Sequence, residues 1–80
     1  MTYTDFEAMV KAFFSKCDPD LADDVEVSYE TDDKGNMTKY IAKAGDYDMN
    51  MTPSGLMVTI NLNRRNHTFQ APVRALLEAG

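Results

Sequence analysis

The sequence is poor in the residues that build metal sites, disulfides and membrane spans. It contains one cysteine and one histidine, too few for an intramolecular disulfide or for the ligands of a structural zinc site. A run of about 18 consecutive apolar residues indicates a transmembrane helix, and the sequence contains no run of that length. The first residues also lack the basic and apolar regions of a secretion signal. We therefore expect a cytoplasmic protein without a metal, a cofactor or a membrane partner.

Basic residues are scarce as well. The chain has thirteen Asp and Glu against eight Lys and Arg, which gives a net charge of −5. Direct binding of nucleic acid needs a basic surface, so the composition argues against it. Glycine-rich phosphate loops, serine–histidine–aspartate sets and metal-ligand spacings are absent from the sequence too. The sequence thus predicts a non-enzymatic protein with no catalytic residue.

The length and the apolar content predict one small domain. Eighty residues, 44% of them hydrophobic, are enough for a single core, and we expect the domain to span residues 1–80. A chain this short buries only about 60–65% of its extended surface, so its stability margin is small. Each apolar stripe is therefore first a candidate for the core.

Apolar spacing predicts a long helix near the start of the chain. Apolar residues recur there every three or four positions: Phe6, Met9, Val10, Phe13, Phe14 and Cys17. Thr4 and Glu7 have the spacing of a capping box, so we expect the helix to begin at Thr4. As a member of the stripe, Cys17 is expected to be a buried, unreactive thiol.

Prolines mark two shorter helices. Asp18 precedes Pro19 and should end the first helix, because the residue before a proline avoids the helical region. The same pair predicts a short helical turn over residues 18–22. The segment Ala71-Pro72 is followed by apolar residues at helical spacing, which predicts a C-terminal helix with Pro72 in its first turn.

Between residues 25 and 62 the apolar pattern alternates. Four runs predict four strands, with the apolar members Val25, Val27, Tyr29; Tyr40, Ala42, Ala44; Tyr47, Met49, Met51; and Leu56, Val58, Ile60, Leu62. Turn-forming residues separate the runs at 33–36, 45–46 and 53–55. We expect an α+β fold in the order α-β-β-β-β-α, an antiparallel meander with both helices on its apolar face and the other face open to water.

The turns also predict the register of the sheet. A two-residue loop at Gly45-Asp46 gives the apolar pairs Ala44 with Tyr47, Ala42 with Met49, and Tyr40 with Met51. On the other face the expected pairs are Lys43 with Asp48, Glu26 with Lys43, and Glu30 with Lys39. Opposite charges meet in these pairs, which supports the predicted register.

Acidic residues are concentrated in the first half of the chain. Residues 1–50 hold twelve acids and five lysines (net −7), whereas residues 51–80 hold one acid and three arginines (net +2). We interpret the acids of residues 18–33, together with two acids of the third strand and its turn, as the candidate partner-binding surface: Asp18, Asp20, Asp23, Asp24, Glu26, Glu30, Asp32, Asp33, Asp46 and Asp48. Such a surface suits a basic protein partner, and the alternative is a solvated surface without a partner.

The sequence leaves other uses open. Arg64, Arg65 and His67 form the only basic corner and are a secondary candidate surface for a phosphate or a carboxylate. Cys17 with His67 is the only pair available for thiol catalysis, and the aspartates of residues 18–24 offer oxygen ligands for a weakly held divalent ion. The alternative function is an accessory protein that self-associates, for example as a homodimer, through the open sheet face or the edge strands.

A small acidic chain without motifs is similar in general character to phage-encoded inhibitors of host defence, including anti-CRISPR proteins, some of which compete with nucleic acid. The similarity lies in size and charge, and no motif residue connects the sequence with a family. It implies a non-enzymatic inhibitor or adaptor that docks on a basic surface of its partner. This hypothesis requires the acidic side chains to face outward together.

Overall fold

The computed structural model describes residues 1–79 and shows an α+β fold, as expected. The helices are α1 (Tyr3–Cys17), α2 (Pro19–Ala22) and α3 (Val73–Ala79). The strands are β1 (Glu26–Thr31), β2 (Met37–Ala44), β3 (Tyr47–Met51), β4 (Met57–Leu62) and β5 (His67–Pro72), with a short 3-10 turn at Asn63–Arg65. The predicted helical turn after Pro19 is confirmed as α2.

The strands form one antiparallel sheet in the order β1-β2-β3-β4-β5, which confirms the predicted meander. The predicted pairs Ala44 with Tyr47, Ala42 with Met49 and Tyr40 with Met51 are all present. So are the charged pairs, with Glu30 opposite Lys39 and Lys43 between Glu26 and Asp48. Alternation and turn chemistry are local properties of the chain, and together they determine the register.

The sheet has a fifth strand that the sequence pattern did not predict. Asn66 adopts a left-handed conformation, with φ of 48°, and turns the chain back along β4 as β5. Most of β5 is exposed at the edge of the sheet, so its apolar alternation is weak. Pro72 is consequently the last residue of this strand, and the C-terminal helix begins at Val73 instead of at the proline.

The predicted capping box at Thr4 is wrong. The helix begins two residues earlier, where the Thr2 hydroxyl accepts a hydrogen bond from the Asp5 N–H at 3.1 Å. A tertiary contact explains the earlier start, because the Tyr3 hydroxyl donates to the Val27 carbonyl of β1 at 2.9 Å. The same ring packs edge-on to Tyr29 at a centroid distance of 5.1 Å. Helix α1 is thus anchored to the sheet at its first residue.

The core lies between the helices and one face of the sheet. Its buried apolar residues from the helices are Phe6, Met9, Val10, Phe14 and Leu76, and those from the sheet are Tyr40, Ala42, Ala44, Met49, Met51, Val58 and Ile60. None of these residues is polar or charged, apart from the Tyr40 hydroxyl, which donates to the Met1 carbonyl at 2.8 Å. Eleven of the nineteen residues predicted for the α1 stripe and the inward alternation are buried in this core, and four more pack against it partly buried: Phe13, Val25, Val27 and Tyr47.

Besides Tyr29 of the edge strand β1, which is 48% exposed, two residues assigned to the apolar face are exposed. Cys17 is the last residue of α1. It lies one turn beyond Phe14, which packs on Tyr47 at the end of the sheet, so no strand lies under it. Leu56 follows the turn closed by the Gly55 N–H and the Thr52 carbonyl, and its side chain is 81% exposed. In both cases the pattern continues past the end of the surface that it packs against.

Candidate partner-binding surfaces

The structure collects five of the predicted acids at one end of the sheet. We call this group the acidic end: Asp18, Asp20, Asp23, Asp24 and Glu26. Asp18 links α1 to α2, and the Asp24 N–H donates to the Leu21 carbonyl at 2.9 Å. All five side chains are exposed or half-buried. The five residues lie close together in the short segment that leads from the end of α1 through α2 to the start of β1.

A glycine contact holds the acidic end against the sheet. Gly45, in the turn between β2 and β3, has φ of +55°, and a Cβ on it would lie 3.0 Å from Leu21 Cδ2. The Leu21 side chain therefore packs directly on the glycine backbone. This contact places α2, and the aspartates on either side of it, over the end of β2 and β3.

The other predicted acids of residues 18–33 lie elsewhere. Glu30 lies near the opposite end of β1, and Asp32 and Asp33 follow that strand. At about 3.3 Å per residue, Glu30 is roughly 13 Å along the strand from Glu26, and the two aspartates lie farther away. The candidate surface predicted from the sequence is thus divided between two ends of the molecule.

Asp32 has a structural role within its own turn. Its carboxylate accepts hydrogen bonds from the Asn36 N–H at 2.9 Å and the Lys34 N–H at 2.8 Å. The Asn36 side-chain amide adds a longer contact of 3.4 Å. The hydrogen bond from the Asn36 N–H, followed by that from Lys34, lowers the pKa of Asp32 because both stabilise the ionised carboxylate.

Asp46 and Asp48 lie near the acidic end, but their carboxylates have partners within the chain. Asp46 Oδ1 accepts from the Arg64 N–H at 2.7 Å, and Asp48 Oδ2 accepts from the Asn63 side-chain amide at 2.8 Å. The Asn63 N–H also donates to the Asp46 carbonyl at 3.0 Å. These bonds fasten the turn before β5 to the turn between β2 and β3. Both aspartates therefore support the fold of this end.

The carboxylates of the acidic end form no ion pair within 4.0 Å in residues 1–79. Across residues 1–79 the one ion pair within 4.0 Å joins Lys11 to Glu7 at 3.7 Å, on an exposed face of α1. Glu26 lies opposite Lys43 in the register, yet their charged atoms are farther apart than 4.0 Å. The carboxylates of the acidic end thus present their charge to solvent.

The secondary candidate surface lies at the same end of the sheet as the Gly45-Asp46 turn, to which the Arg64 N–H is bonded. Arg64 and Arg65 are exposed in the 3-10 turn, where they border a hollow of about 300 Å³ that Tyr47 and Leu62 also line. His67 begins β5, and its ring lies 5.5 Å from that of Phe69. The sequence indicates these three residues but not the edge strand that His67 begins, because β5 has no strong apolar signal.

The open thiol and metal alternatives gain no support from the geometry. No hydrogen bond joins the Cys17 thiol to the His67 imidazole in the described part of the chain. Residues 1–79 also contain no group of three or more His, Cys, Asp or Glu placed to hold a metal ion. None of the helices in that range is both long and apolar enough to cross a membrane.

Known proteins give no further guide. Comparison of the chain with protein families, with curated proteins and with solved structures finds no match. The two exposed charged surfaces, one acidic and one basic, are therefore the candidate binding sites of the protein.

Proposed function

We propose that this protein is a non-enzymatic protein-binding domain, an inhibitor or adaptor whose acidic end docks on a basic surface of a partner protein. A surface of that kind on the partner is commonly one that binds nucleic acid. The single observation that supports the proposal is the placement of five acids on one end of the fold, with no cation of residues 1–79 within 4.0 Å of them.

The electrostatic argument concerns the rate and the selectivity of binding. Clustered charge of one sign steers a partner of opposite sign and disfavours partners of like sign. Because α2 is held on Gly45, the aspartates keep a fixed arrangement relative to the sheet. A surface fixed in this way loses little conformational entropy on binding.

The proposed mode of action resembles that of small acidic phage-encoded inhibitors of host defence, including anti-CRISPR proteins, some of which compete with nucleic acid for their partner. The proposed compartment is the cytoplasm. An exposed free thiol such as that of Cys17 is typical of reducing compartments, where it is not oxidised to a disulfide.

Charge reversal at the acidic end tests the proposal. Asp20, Asp23 and Asp24 are exposed and make no side-chain hydrogen bond in the described chain, so their change to lysine leaves the fold intact. We expect capture of the partner from a host lysate at low salt to fall about tenfold or more, because three attractive charges become repulsive. A tenfold loss of affinity corresponds to about 1.4 kcal/mol of binding free energy. Capture by the unmodified protein should also weaken at high salt.

A matched control changes three acids outside the acidic end. Reversal of Glu30, Asp33 and Glu78 to lysine alters the net charge by the same amount but leaves the acidic end intact. We expect this variant to retain capture. Equal loss in both variants, or unchanged capture after reversal at the acidic end, would show that the partner binds elsewhere.

A further inference from the structure

The outer edge of β5 has no strand partner within residues 1–79. β5 is the last strand of the sheet, and it pairs with β4 continuously from Met57 opposite Pro72 to Leu62 opposite His67. Every residue of β5 except Ala71 is exposed, and Phe69 is 40% exposed. A regular exposed edge of this kind presents unpaired backbone donors and acceptors to any extended chain that approaches it.

The opposite edge of the same sheet is protected. β1 carries the charged residues Glu26 and Glu30, and its pairing with β2 is irregular between Glu30 and Thr31. The Tyr3 hydroxyl also donates a hydrogen bond to the Val27 carbonyl of β1. Charges and bulges of this kind prevent strands from adding at an edge. β5 has no Asp, Glu, Lys or Arg and no bulge, and Pro72 stands only at its last position.

Positive charge flanks β5 at both ends. All three arginines of the chain are beside it, with Arg64 and Arg65 just before the strand and Arg74 just after it. No acidic residue occurs in the sequence between Asp48 and Glu78, and Asp46 is the one acid that lines the same hollow as Arg64 and Arg65. The strand itself spans about 20 Å, so an extended chain along its edge would meet cations at both of its ends.

An apolar hollow lies at the end of β5 near Arg74. Its volume is about 400 Å³, and it lies between the start of β4 and α3, lined by Leu56, Met57, Pro72, Val73, Arg74 and Leu77. Leu77 is 54% exposed at its rim. A hollow of this size and composition accommodates an apolar side chain.

We propose that β5 binds an extended acidic peptide segment of a partner protein as a sixth strand of the sheet. Backbone hydrogen bonds along β5 supply the affinity, as in other cases of strand addition. Acidic side chains near the two ends of the segment contact Arg64 and Arg65 at one end and Arg74 at the other. β5 is the opposite edge of the sheet from β1, four strand spacings or roughly 19 Å away.

The charges favour an acidic peptide over a second copy of the chain. If two β5 strands paired antiparallel around a two-fold axis, Arg64 and Arg65 of one copy would lie near Arg74 of the other. Like charges placed opposite one another across strands are destabilising. A partner segment with acids at its ends has the complementary charge, which a second β5 lacks.

Selection from a random peptide library on the intact protein tests this proposal. We expect the enriched peptides to alternate apolar and polar residues and to carry Asp or Glu near both ends. When an enriched peptide is made and added to the labelled protein, resonances of residues 67–72 should shift, and β5 amides should exchange more slowly with solvent. A selection that yields no binders, or binders that perturb residues away from β5, would refute the proposal.

Two triple variants give the matched comparison. Changing Arg64, Arg65 and Arg74 to glutamate should weaken binding of the enriched peptide by about tenfold or more, since each tenfold step is about 1.4 kcal/mol. Changing Lys11, Lys16 and Lys34 to glutamate alters the net charge equally and should leave the affinity within about twofold. Equal weakening by both variants would refute specific contact with the arginines. The unmodified chain could instead sediment as a dimer whose β5 amides exchange slowly with solvent. That result would refute an acidic peptide as the occupant of the β5 edge and favour a second copy of the chain.

Discussion

Asp32 shows at the scale of one residue how a predicted binding acid is instead used by the fold. It was selected because it belongs to a run of acids, yet its carboxylate accepts from the N–H groups of Lys34 and Asn36 and closes the turn between β1 and β2. Sequence spacing indicates a turn at this place, but charge counting does not separate the acid that holds the turn from its neighbour Asp33. That distinction depends on side-chain direction.

We predict that Asp32→Ala lowers the urea midpoint at neutral pH, because two backbone N–H groups lose their acceptor. The pKa of Asp32 is lowered in the folded protein, chiefly by the Asn36 N–H, so the ionised carboxylate favours the folded state. This stabilisation is fully present above the unfolded-state pKa of about 3.9 and is lost as the pH falls through the lower folded value. The difference between the two proteins should therefore vanish in acid.

Asp33→Ala is the control for this experiment. The Asp33 side chain is exposed and makes no hydrogen bond to any residue of the described chain, so its removal should leave the midpoint nearly unchanged at every pH. Equal effects of the two substitutions would contradict the structural role of Asp32.

The start of α1 provides a test at the scale of one element. Thr2 accepts from the Asp5 N–H, whereas Thr4 lies within the first turn of the helix. We predict that Thr2→Ala lowers the free energy of unfolding by about 1 kcal/mol, the usual cost of losing a helix cap. Thr4→Ala should change it by less than about 0.5 kcal/mol, because no capping contact is removed.

Urea unfolding followed by circular dichroism measures both variants. The capping box expected from the sequence requires the opposite order, with the larger loss for Thr4→Ala. The two substitutions therefore distinguish the helix start seen in the structure from the one that the local pattern favours. The physical difference is the contact of Tyr3 with β1, which adds a tertiary reason to begin the helix earlier.

The strands show which elements local patterns predict well. The β2–β3 hairpin was predicted with its register because Ala42 and Met49 alternate on either side of a two-residue loop. β5 was missed because it is exposed at the edge and contains few apolar residues. A strand that packs against a core needs apolar residues at every second position, so its sequence alternates strongly between apolar and polar residues. An edge strand held mainly by backbone hydrogen bonds has only a weak alternation of this kind.

At the scale of the whole molecule the dominant feature is unbalanced charge. The net charge is −5, and the chain described by the structure has a single ion pair within 4.0 Å, between exposed side chains. Repulsion among the acids of the acidic end is thus hardly offset by attraction. Net charge of one sign destabilises a compact state through this self-repulsion.

We predict that sodium chloride raises the urea midpoint between low ionic strength and about 0.15 M, where the Debye length shortens to about 8 Å. Chloride is preferred to sulfate or phosphate, because those anions also strengthen apolar burial. Changing Asp20, Asp23 and Asp24 to asparagine should raise stability at low salt and reduce the salt effect. A midpoint that falls with added salt would show that attractive pairs outweigh the repulsion.

The sequence by itself determined the α+β class, the core stripe of α1, the register of β2 with its neighbours and the imbalance of charge between the two halves of the chain. These properties depend on residues close together in sequence, through periodicity, turns and composition. The tertiary structure alone decided that Cys17 is exposed, that β5 forms an unprotected edge between arginines, and that the predicted acids divide between two ends. Each of these depends on where the packed surfaces end, and that boundary exists only once distant segments are brought together.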